Sequence, residues 1–489
     1  MSVAGSGAEL LAVDLGTQSL RLAAYDDAGR RRWAWSVPVD SHIEGDVFEQ
    51  SPEQWESLLL QGLGEAQRAG VRPVALAAAG PLAGYVALGA DGRALGAATM
   101  YPDRRATGQV RRVAAALRAA GNDHGLRIHA ADPLPQWLDF AARSPEMASR
   151  TRHFLDATGW LNHLLCGESS LNVFTGLRLY DTALRQALCA DDAPFGRIVD
   201  VGQDIGELRP ALAARFGFGR VRVIAAAFDS KSAYLGAGLS AHGEAADISG
   251  TVSSMGVLWP GPVDDPARRI YSVPFAVQQL VRGSTAAAGS SLEWVCHNLL
   301  HEDPAALERQ AAEAPPGANG LTFLPYLSGE RTPLWNPWAS GAMLGLRLSS
   351  SPADLARAVF EGLAFSVGHM AEVMREHGVE LRSVRLAGGL ARSALLAQIK
   401  ADVLGVPVAP FADHELTSRG LAAILSVATG QAADLVEASR RFTAIERWIE
   451  PQERTRTAQL AAYERYRAAS AALEPSFAPA ADRPGGQTS

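Results

Sequence analysis

The chain has 489 residues, 47% of them hydrophobic and 20% charged, and its 45 Lys+Arg against 52 Asp+Glu leave a formal net charge of −7. That length favours two or more domains. A mildly acidic chain lacks the positive field that holds a protein on phosphate backbones or anionic lipid, which excludes nucleic acid and membrane surfaces as the main partner. Cys166, Cys189 and Cys296 are odd in number and widely spread. With no C-x-x-C, they disfavour a disulfide framework or structural zinc and fit a reducing cytoplasm. Residues 1–9 carry no basic n-region, and the apolar runs at 74–79 and 221–227 fall far short of the ~20 residues a membrane span needs. The expectation is a cytoplasmic protein.

Residues 10–13 form a short apolar run ending in Asp14-Leu15-Gly16-Thr17-Gln18-Ser19, and a second run, 20–25, breaks at Asp26-Asp27-Ala28-Gly29. Two strands joined by a polar, Gly-containing turn predict a β-hairpin. Helical spacing shows at 117–121 and at 352–374, where Leu355, Val359, Leu363 and Val367 follow a Ser351-Pro352 start. Runs at 221–227, 321–324 and 384–386 are each followed by a Gly-rich or polar turn, so strands alternate with helices in an α/β chain. The second half opens as the first does: a run at 246–248, then Ser249-Gly250-Thr251-Val252-Ser253-Ser254, then a run at 255–259. No short-period repeat is present, which excludes a solenoid. Two long halves with one opening device predict a duplicated domain around a cleft, divided near 238–245. Residues 475–489, rich in Pro, Ala and Gly and without periodicity, are expected to be disordered.

A Gly-Thr-x-Ser turn between strands has a physical use, because glycine lets backbone N–H groups approach an anion and the hydroxyls add donors. Asp14, closing the first strand, is placed to hold a hydrated Mg²⁺ against phosphates, and Arg21 adds a charge-assisted donor. A lone turn of this kind is equally a plain hairpin; the second copy at Gly250, Thr251 and Ser253 strengthens the phosphate reading. Leu386-Ala387-Gly388-Gly389-Leu390-Ala391-Arg392-Ser393 follows a strand and opens a helix over 394–403. A diglycine there lets a flat base lie near the backbone, and the helix N-terminus offers N–H groups, although a tight strand-to-helix turn needs the same residues. Asp229 ends the run 223–228 and opens 230–238, as either a helix N-cap or a general base.

Together these segments resemble the FGGY family of carbohydrate kinases, within the actin-like ATPase superfamily, over roughly residues 9–470. The most specific stretch is Gly341-Ala342-Met343-Leu344-Gly345-Leu346, seven residues, then Asp354-Leu355-Ala356-Arg357-Ala358-Val359-Phe360-Glu361. Residues 323–333 (FLPYLSGERTP) and 49–55 (EQSPEQW) look like the xylulokinase branch. The resemblance implies two actin-like (ribonuclease H-like) ATPase domains flanking a deep interdomain cleft: residues 1–240 with the first phosphate loop, sugar side and catalytic Asp, and residues 241–474 with the second phosphate loop and adenosine site. It implies ATP as donor, Mg²⁺ at Asp14 and Asp229, a small sugar or polyol as acceptor, and a possible homodimer. Gly16, Thr17, Gln18, Ser19 and Arg21 would form the first phosphate loop and Gly250, Thr251 and Ser253 the second. Gly388, Gly389 and Arg392 would meet adenosine, with Gly420 beside them, and Asp229 would be the general base.

The departures lie on the sugar side. Xylulokinases usually show Ser-Gly-Gln-Met-His-Gly where this chain has Ala79-Gly80-Pro81-Leu82-Ala83-Gly84; Leu82 and Ala83 would therefore face the substrate without the family's Gln and His. Ser230 replaces the Asn after the base, and Leu134 stands where a Lys is expected, although Trp137 and Leu138 fit. Tyr101-Pro102-Asp103-Arg104-Arg105 keeps the Asp and Arg of Trp-Asn-Asp-x-Arg, making Asp103 a candidate sugar-hydroxyl contact or a turn aspartate. His129 falls where glycerol-kinase-like members carry a substrate-facing Tyr, or is a spare histidine. A ketopentose such as xylulose is the first expectation for substrate; another ketose, a polyol, or a non-catalytic ATP- and sugar-binding regulator are the alternatives. A chaperone-like ATPase would need a peptide-binding domain, and a dehydrogenase would need Gly-x-Gly-x-x-Gly after the first strand, which is lacking.

Overall fold

In the computed structural model, which describes residues 9–119, 128–176, 182–188, 190, 192–275, 278–411, 415–443, 445 and 447–477, the first apolar run forms strand β1 (Glu9–Leu15). It pairs antiparallel with β2 (Ser19–Tyr25) in a register that sets Asp14 opposite Arg21. The hairpin continues into β3 (Arg31–Pro38). On its other side β1 lies parallel to β4 (Pro73–Ala79), with Asp14 level with Ala79. The run of small and apolar residues in β4 suits a strand covered on both faces. β5 (Asp204–Glu207) and β6 (Arg222–Ile224) complete the sheet, whose order is β5-β6-β4-β1-β2-β3.

The helix Pro52–Arg68 starts at Ser51, whose hydroxyl accepts the Gln54 N–H at 3.1 Å, and buries Trp55, Leu59 and Leu63 along one stripe. Those side chains join Leu11, Val13, Leu20 and Leu22 in one core.

A second sheet has the same plan. β7 (Glu244–Ser249) and β8 (Ser253–Trp259) form an antiparallel hairpin. β9 (Tyr271–Phe275) and β10 (Gln278–Ser284) extend it on the β8 side, while β11 (Ser383–Ala387) and β12 (Val408–Pro410) run parallel on the β7 side. The helix Pro352–Glu376 begins with a capping box between Ser351 and Asp354 and buries residues on nearly all sides of its middle turns. The helices Ala394–Leu404 and Glu453–Leu473 flank the same sheet's core clusters.

The chain divides into two units, Met1–Gly238 with Glu415–Thr443, and Leu239–His414 with Ala444–Ser489. The sequence reading placed all of 241–474 together. The structure groups 415–443 with the first unit because the helix Leu416–Ala428 packs on the helix Asp229–Gly236 at backbone distance. A Cβ at Gly420 would lie 1.8 Å from the Ser232 carbonyl oxygen, and one at Gly236 1.9 Å from that of Leu416.

Two smaller expectations change. The helix expected around 117–121 is Thr107–Ala119, and residues 120–121 lie outside the described residues. Of the tail expected to be disordered, 475–477 belong to a 3₁₀ turn whose Phe477 is 6% exposed and packs edge-on to Tyr326 at 6.3 Å; 478–489 lie outside the described residues. No helix among the described residues is long and apolar enough to cross a membrane.

One buried carboxyl shapes the second unit. Glu330 is 3% exposed, and its Oε1 accepts the Ala286 N–H at 2.8 Å and the Arg331 N–H at 2.7 Å. Burial pushes its pKa up from 4.5 to about 8 against the pull of those N–H groups and of Arg331. A folded-state pKa raised this far means that the folded protein keeps a proton that the unfolded chain releases. The stability tied to that proton is complete below about 4.5 and is lost as pH rises through about 8.

Two predictions follow from these contacts. Gly420→Ala should lower stability by about 1–3 kcal/mol, measured by urea unfolding, because the clash is with backbone that cannot rotate away. The melting temperature of Glu330→Gln should gain on that of the wild type as pH is raised from 5 to 8; parallel pH profiles would refute the assignment.

Candidate active-site segments

In the first unit, the ends of the parallel strands gather the predicted residues. Asp14 is the penultimate residue of β1, and Gly80, one residue past Asp14's neighbour Ala79, accepts the Asp229 N–H at 2.9 Å. Asp14 and Asp229 therefore emerge at the same end of the sheet, although 215 residues separate them. Arg21 Nη1 donates to Asp14 Oδ2 at 3.2 Å. Burial, aided by Glu415 and opposed by Arg21, pushes the Asp14 carboxyl up to about 6. A buried carboxylate whose ionised form is this costly gains from added positive charge.

The first turn is held from behind. Gly16 N–H bonds the Ser19 carbonyl at 2.9 Å, while Thr17 and Gln18 are exposed at the tip. The buried Gln50 donates through Nε2 to the Thr17 carbonyl at 2.7 Å and accepts the Trp55 indole N–H at 3.0 Å. Sequence reading quoted Gln50 only as part of a resemblance; nothing local marks an amide as the brace of a turn 33 residues away.

Asp229 is the first residue of its helix; the N-cap is Phe228, which makes no side-chain cap. This removes the N-cap alternative. Its Oδ1 accepts the Ser230 N–H at 2.5 Å, which fixes the carboxylate's direction. Lys231, two residues on, is 3% exposed with its Nζ 3.7 Å from the centre of the Phe174 ring. Sequence reading passed over this lysine, because a lysine beside a polar turn ordinarily reads as solvated.

Of the residues expected on the sugar side, Leu82 is half-buried and Ala83 is 2% exposed at φ 66°. A left-handed alanine carries strain of a kind that collects in functional segments. Asp103 is 2% exposed and heavily engaged: Oδ2 accepts the Phe48 N–H at 3.0 Å, Oδ1 the Arg105 N–H at 3.1 Å, and Arg105 clamps both oxygens while reaching Glu49. Asp103 thus organises its loop. His129 stacks on Tyr101 at 4.9 Å and 9°, and its Nδ1 accepts the Ala131 N–H at 3.1 Å, which places its proton on Nε2.

In the second unit the turn Gly250–Thr251 is exposed, with no heavy atom within 4 Å of a Cβ built at Gly250. Ser253 departs from expectation: it is 1% exposed and its hydroxyl donates inward to Asp247 Oδ1 at 2.5 Å. The diglycine divides its work. Gly388 has φ 85° and a Cβ there would meet the Ser249 carbonyl oxygen at 2.4 Å, so the fold requires it. Gly389 has open space and Arg392 is exposed. The helix N-terminus expected to offer N–H groups is already capped, Leu395 N–H by Glu308 at 2.9 Å and Leu396 N–H by Ser393 at 3.0 Å. Gly420 is buried in the first unit's helix contact, where the Ser232 backbone fills the space beside it.

Among the described residues no group of three or more His, Cys, Asp or Glu side chains is arranged to hold a metal. A lone buried carboxylate such as Asp14 instead suits Mg²⁺ held mainly by phosphate oxygens and water.

Residues 10–236 match the N-terminal domain, and residues 246–429 the C-terminal domain, of the FGGY family of carbohydrate kinases. A xylulose kinase of Escherichia coli (strain K12) is 27% identical over 410 residues, covering 81% of this chain and 84% of that protein. A glycerol kinase of Trichlorobacter lovleyi is 27% identical over 498 residues, covering 92% and 96%. Among solved structures, ligand-bound xylulose kinase from Lactobacillus acidophilus superposes with a TM-score of 0.86 at 19% identity, covering 96% of this chain and 99% of that one. Both halves of the sequence place the chain in the FGGY family of carbohydrate kinases.

Proposed function

We propose that the chain transfers the γ-phosphoryl group of ATP to a hydroxyl of a small sugar or polyol, with Asp229 as general base. The observation that carries the reading is the emergence of Asp14 and Asp229 at one end of the first sheet, each carboxylate with one oxygen already fixed. Phosphoryl transfer asks the protein mainly to position reactants and stabilise charge. Asp229 orients the acceptor hydroxyl and takes its proton as the new O–P bond forms and the bond to the ADP oxygen breaks. The exposed turns at Gly16–Ser19 and Gly250–Thr251 supply backbone N–H and hydroxyl donors to phosphate oxygens, and Arg21 adds positive charge. Asp14 is the residue that would hold Mg²⁺, which when bound supplies neutralisation of phosphate charge. The open face at Gly389, next to Arg392, suits adenosine.

For the acceptor, the xylulose kinase relatives support a ketopentose as the first candidate. The substitutions Pro81 and Ala83, together with an Asp103 filled by its own loop, support a substrate with a different hydroxyl pattern as the second. A site built to bond particular hydroxyls rejects analogues lacking them, so these changes alter which acceptor fits more than whether transfer occurs.

Asp229→Ala should cut kcat by about 10²–10⁴-fold while leaving ATP binding, read by calorimetry, within a few-fold of wild type. Near-normal turnover in that variant would remove Asp229 from its role. ADP release measured against ketopentoses, ketohexoses, aldoses and polyols should single out one class by a wide margin in kcat/KM. Uniform background hydrolysis across that panel would favour a non-catalytic binding protein.

A further inference from the structure

The hairpin β7–β8 conceals an ion pair that the phosphate-loop reading does not use. Lys400, from the middle of the helix Ala394–Leu404, is 2% exposed, and Asp247, on β7, is 0% exposed. Lys400 Nζ donates to Asp247 Oδ2 at 2.5 Å and to Ser249 Oγ at 3.2 Å. The other carboxylate oxygen, Oδ1, accepts the hydroxyls of Ser249 at 2.8 Å and Ser253 at 2.5 Å. Ser249 and Ser253 are the register partners that flank the exposed turn. Thr285 completes the frame: its hydroxyl accepts the Ser253 N–H at 2.9 Å and its own N–H donates to the Ser253 carbonyl at 2.9 Å.

A buried ion pair is a poor device for stability alone, since well-packed apolar residues of similar volume generally do as well or better. What this pair does uniquely is place one acceptor beneath both ends of a short turn. It also joins that turn to a second segment. The helix bearing Lys400 opens directly after Gly388–Ser393, and Asp247 lies level with Leu386 on the adjacent parallel strand. One charge pair thereby ties the turn to the middle of the helix that opens beyond the diglycine.

We propose that Asp247 and Lys400 are positioning residues for nucleotide phosphate, acting through Ser249 and Ser253 to hold the turn Gly250–Val252 at fixed height. This rests on the phosphate-loop role given above. Because the serine hydroxyls point inward, the turn presents its backbone and Thr251 outward, and small displacements of such a turn are expensive in rate.

The test compares three variants with the wild type, using ADP calorimetry and steady-state kinetics in ATP and in the best acceptor. Lys400→Met combined with Asp247→Leu removes both charges, so no unpaired ion is buried, and releases the serines. Lys400→Met combined with Asp247→Asn keeps an acceptor beneath them. Ser249→Ala combined with Ser253→Ala leaves the ion pair and removes only the hydroxyls, which serves if the apolar pair fails to fold. We expect the Met/Leu and the double-alanine variants to lose about 10–100-fold in kcat/KM for ATP with the acceptor KM unchanged, and the Met/Asn variant to recover most of it. If every folded variant, the double-alanine one included, keeps wild-type ADP affinity and kcat/KM for ATP, the positioning role is overturned. Equal losses in Met/Leu and Met/Asn, or losses that follow melting temperature alone, also overturn it. A wild-type chain that binds no ADP overturns instead the phosphate-loop reading on which the role depends.

Discussion

A backbone turn can hold a multiply charged group only if something other than its own outward amides keeps it in place. Both glycine turns of this protein are built on that constraint. The first is drawn down by Gln50, a buried amide bonded on one side to the Thr17 carbonyl and on the other to the Trp55 indole. The second is drawn down by Asp247, with Lys400 supplying the opposite charge. A neutral brace and an ionic brace reach one mechanical result: the carbonyls and hydroxyls that would let the turn collapse are engaged beneath it. Preorganised donors of this kind act without reorganisation when charge arrives.

Three buried acids stand in three different surroundings. Asp247 is paired with Lys400 within the core. Glu330 has two N–H donors but its nearest countercharge does not offset burial, and it keeps its proton to about pH 8. Asp14 stands between them, with one oxygen on Arg21 and a pKa near 6. The group left short of positive charge, though ionisable near neutrality, is the one at the strand end beside Asp229. In physical terms that is where a cation is most useful, whereas Glu330 meets the same deficit by keeping its proton.

Much of this was legible from the sequence. Alternation of apolar runs around Gly16 and Gly250 marks both hairpins, whereas Arg21, expected as a phosphate donor, pairs with Asp14 across the first of them. Asp229 at a strand-to-helix passage was readable for the same reason. The braces were not. Lys400 sits 153 residues from Asp247, and a helical lysine reads as solvated unless its burial is known. Ser253 looked like a phosphate donor because its place after Gly-Thr fits one, yet the two-residue pleat sends its side chain into the sheet's interior. The two glycines of 388–389 are identical as letters and differ only in whether the Ser249 carbonyl stands beside them. Residues 415–443 carry no compositional mark of the unit they join; their contacts decide it, from the close Gly236–Gly420 crossing to the Tyr25–Ser418 hydrogen bond and the Tyr25–Phe442 ring contact.

The acceptor side follows from counting lone pairs. A carboxylate offers about four acceptor sites, and at Asp103 the Phe48 amide, the Arg105 amide and the Arg105 guanidinium occupy them. An aspartate so filled can orient a loop strongly but has little left for a sugar hydroxyl. Its place after Tyr101-Pro102 fits a turn aspartate and a ligand aspartate alike, so the sequence leaves the two open. Removing Gln and His from the 79–84 segment then takes away donors that nothing at Asp103 replaces. Within the described residues, Tyr101 and His129 offer a flat stacked face in that neighbourhood, with the imidazole proton held on Nε2 by the Ala131 amide. Under the proposed function, a ring face at this loop would select an acceptor by shape, whereas a carboxylate with free lone pairs would select it by hydroxyl pattern. On the same reading, the departures at residues 79–84 bear on the choice of acceptor, while the two glycine turns keep their braces at Gln50 and Asp247.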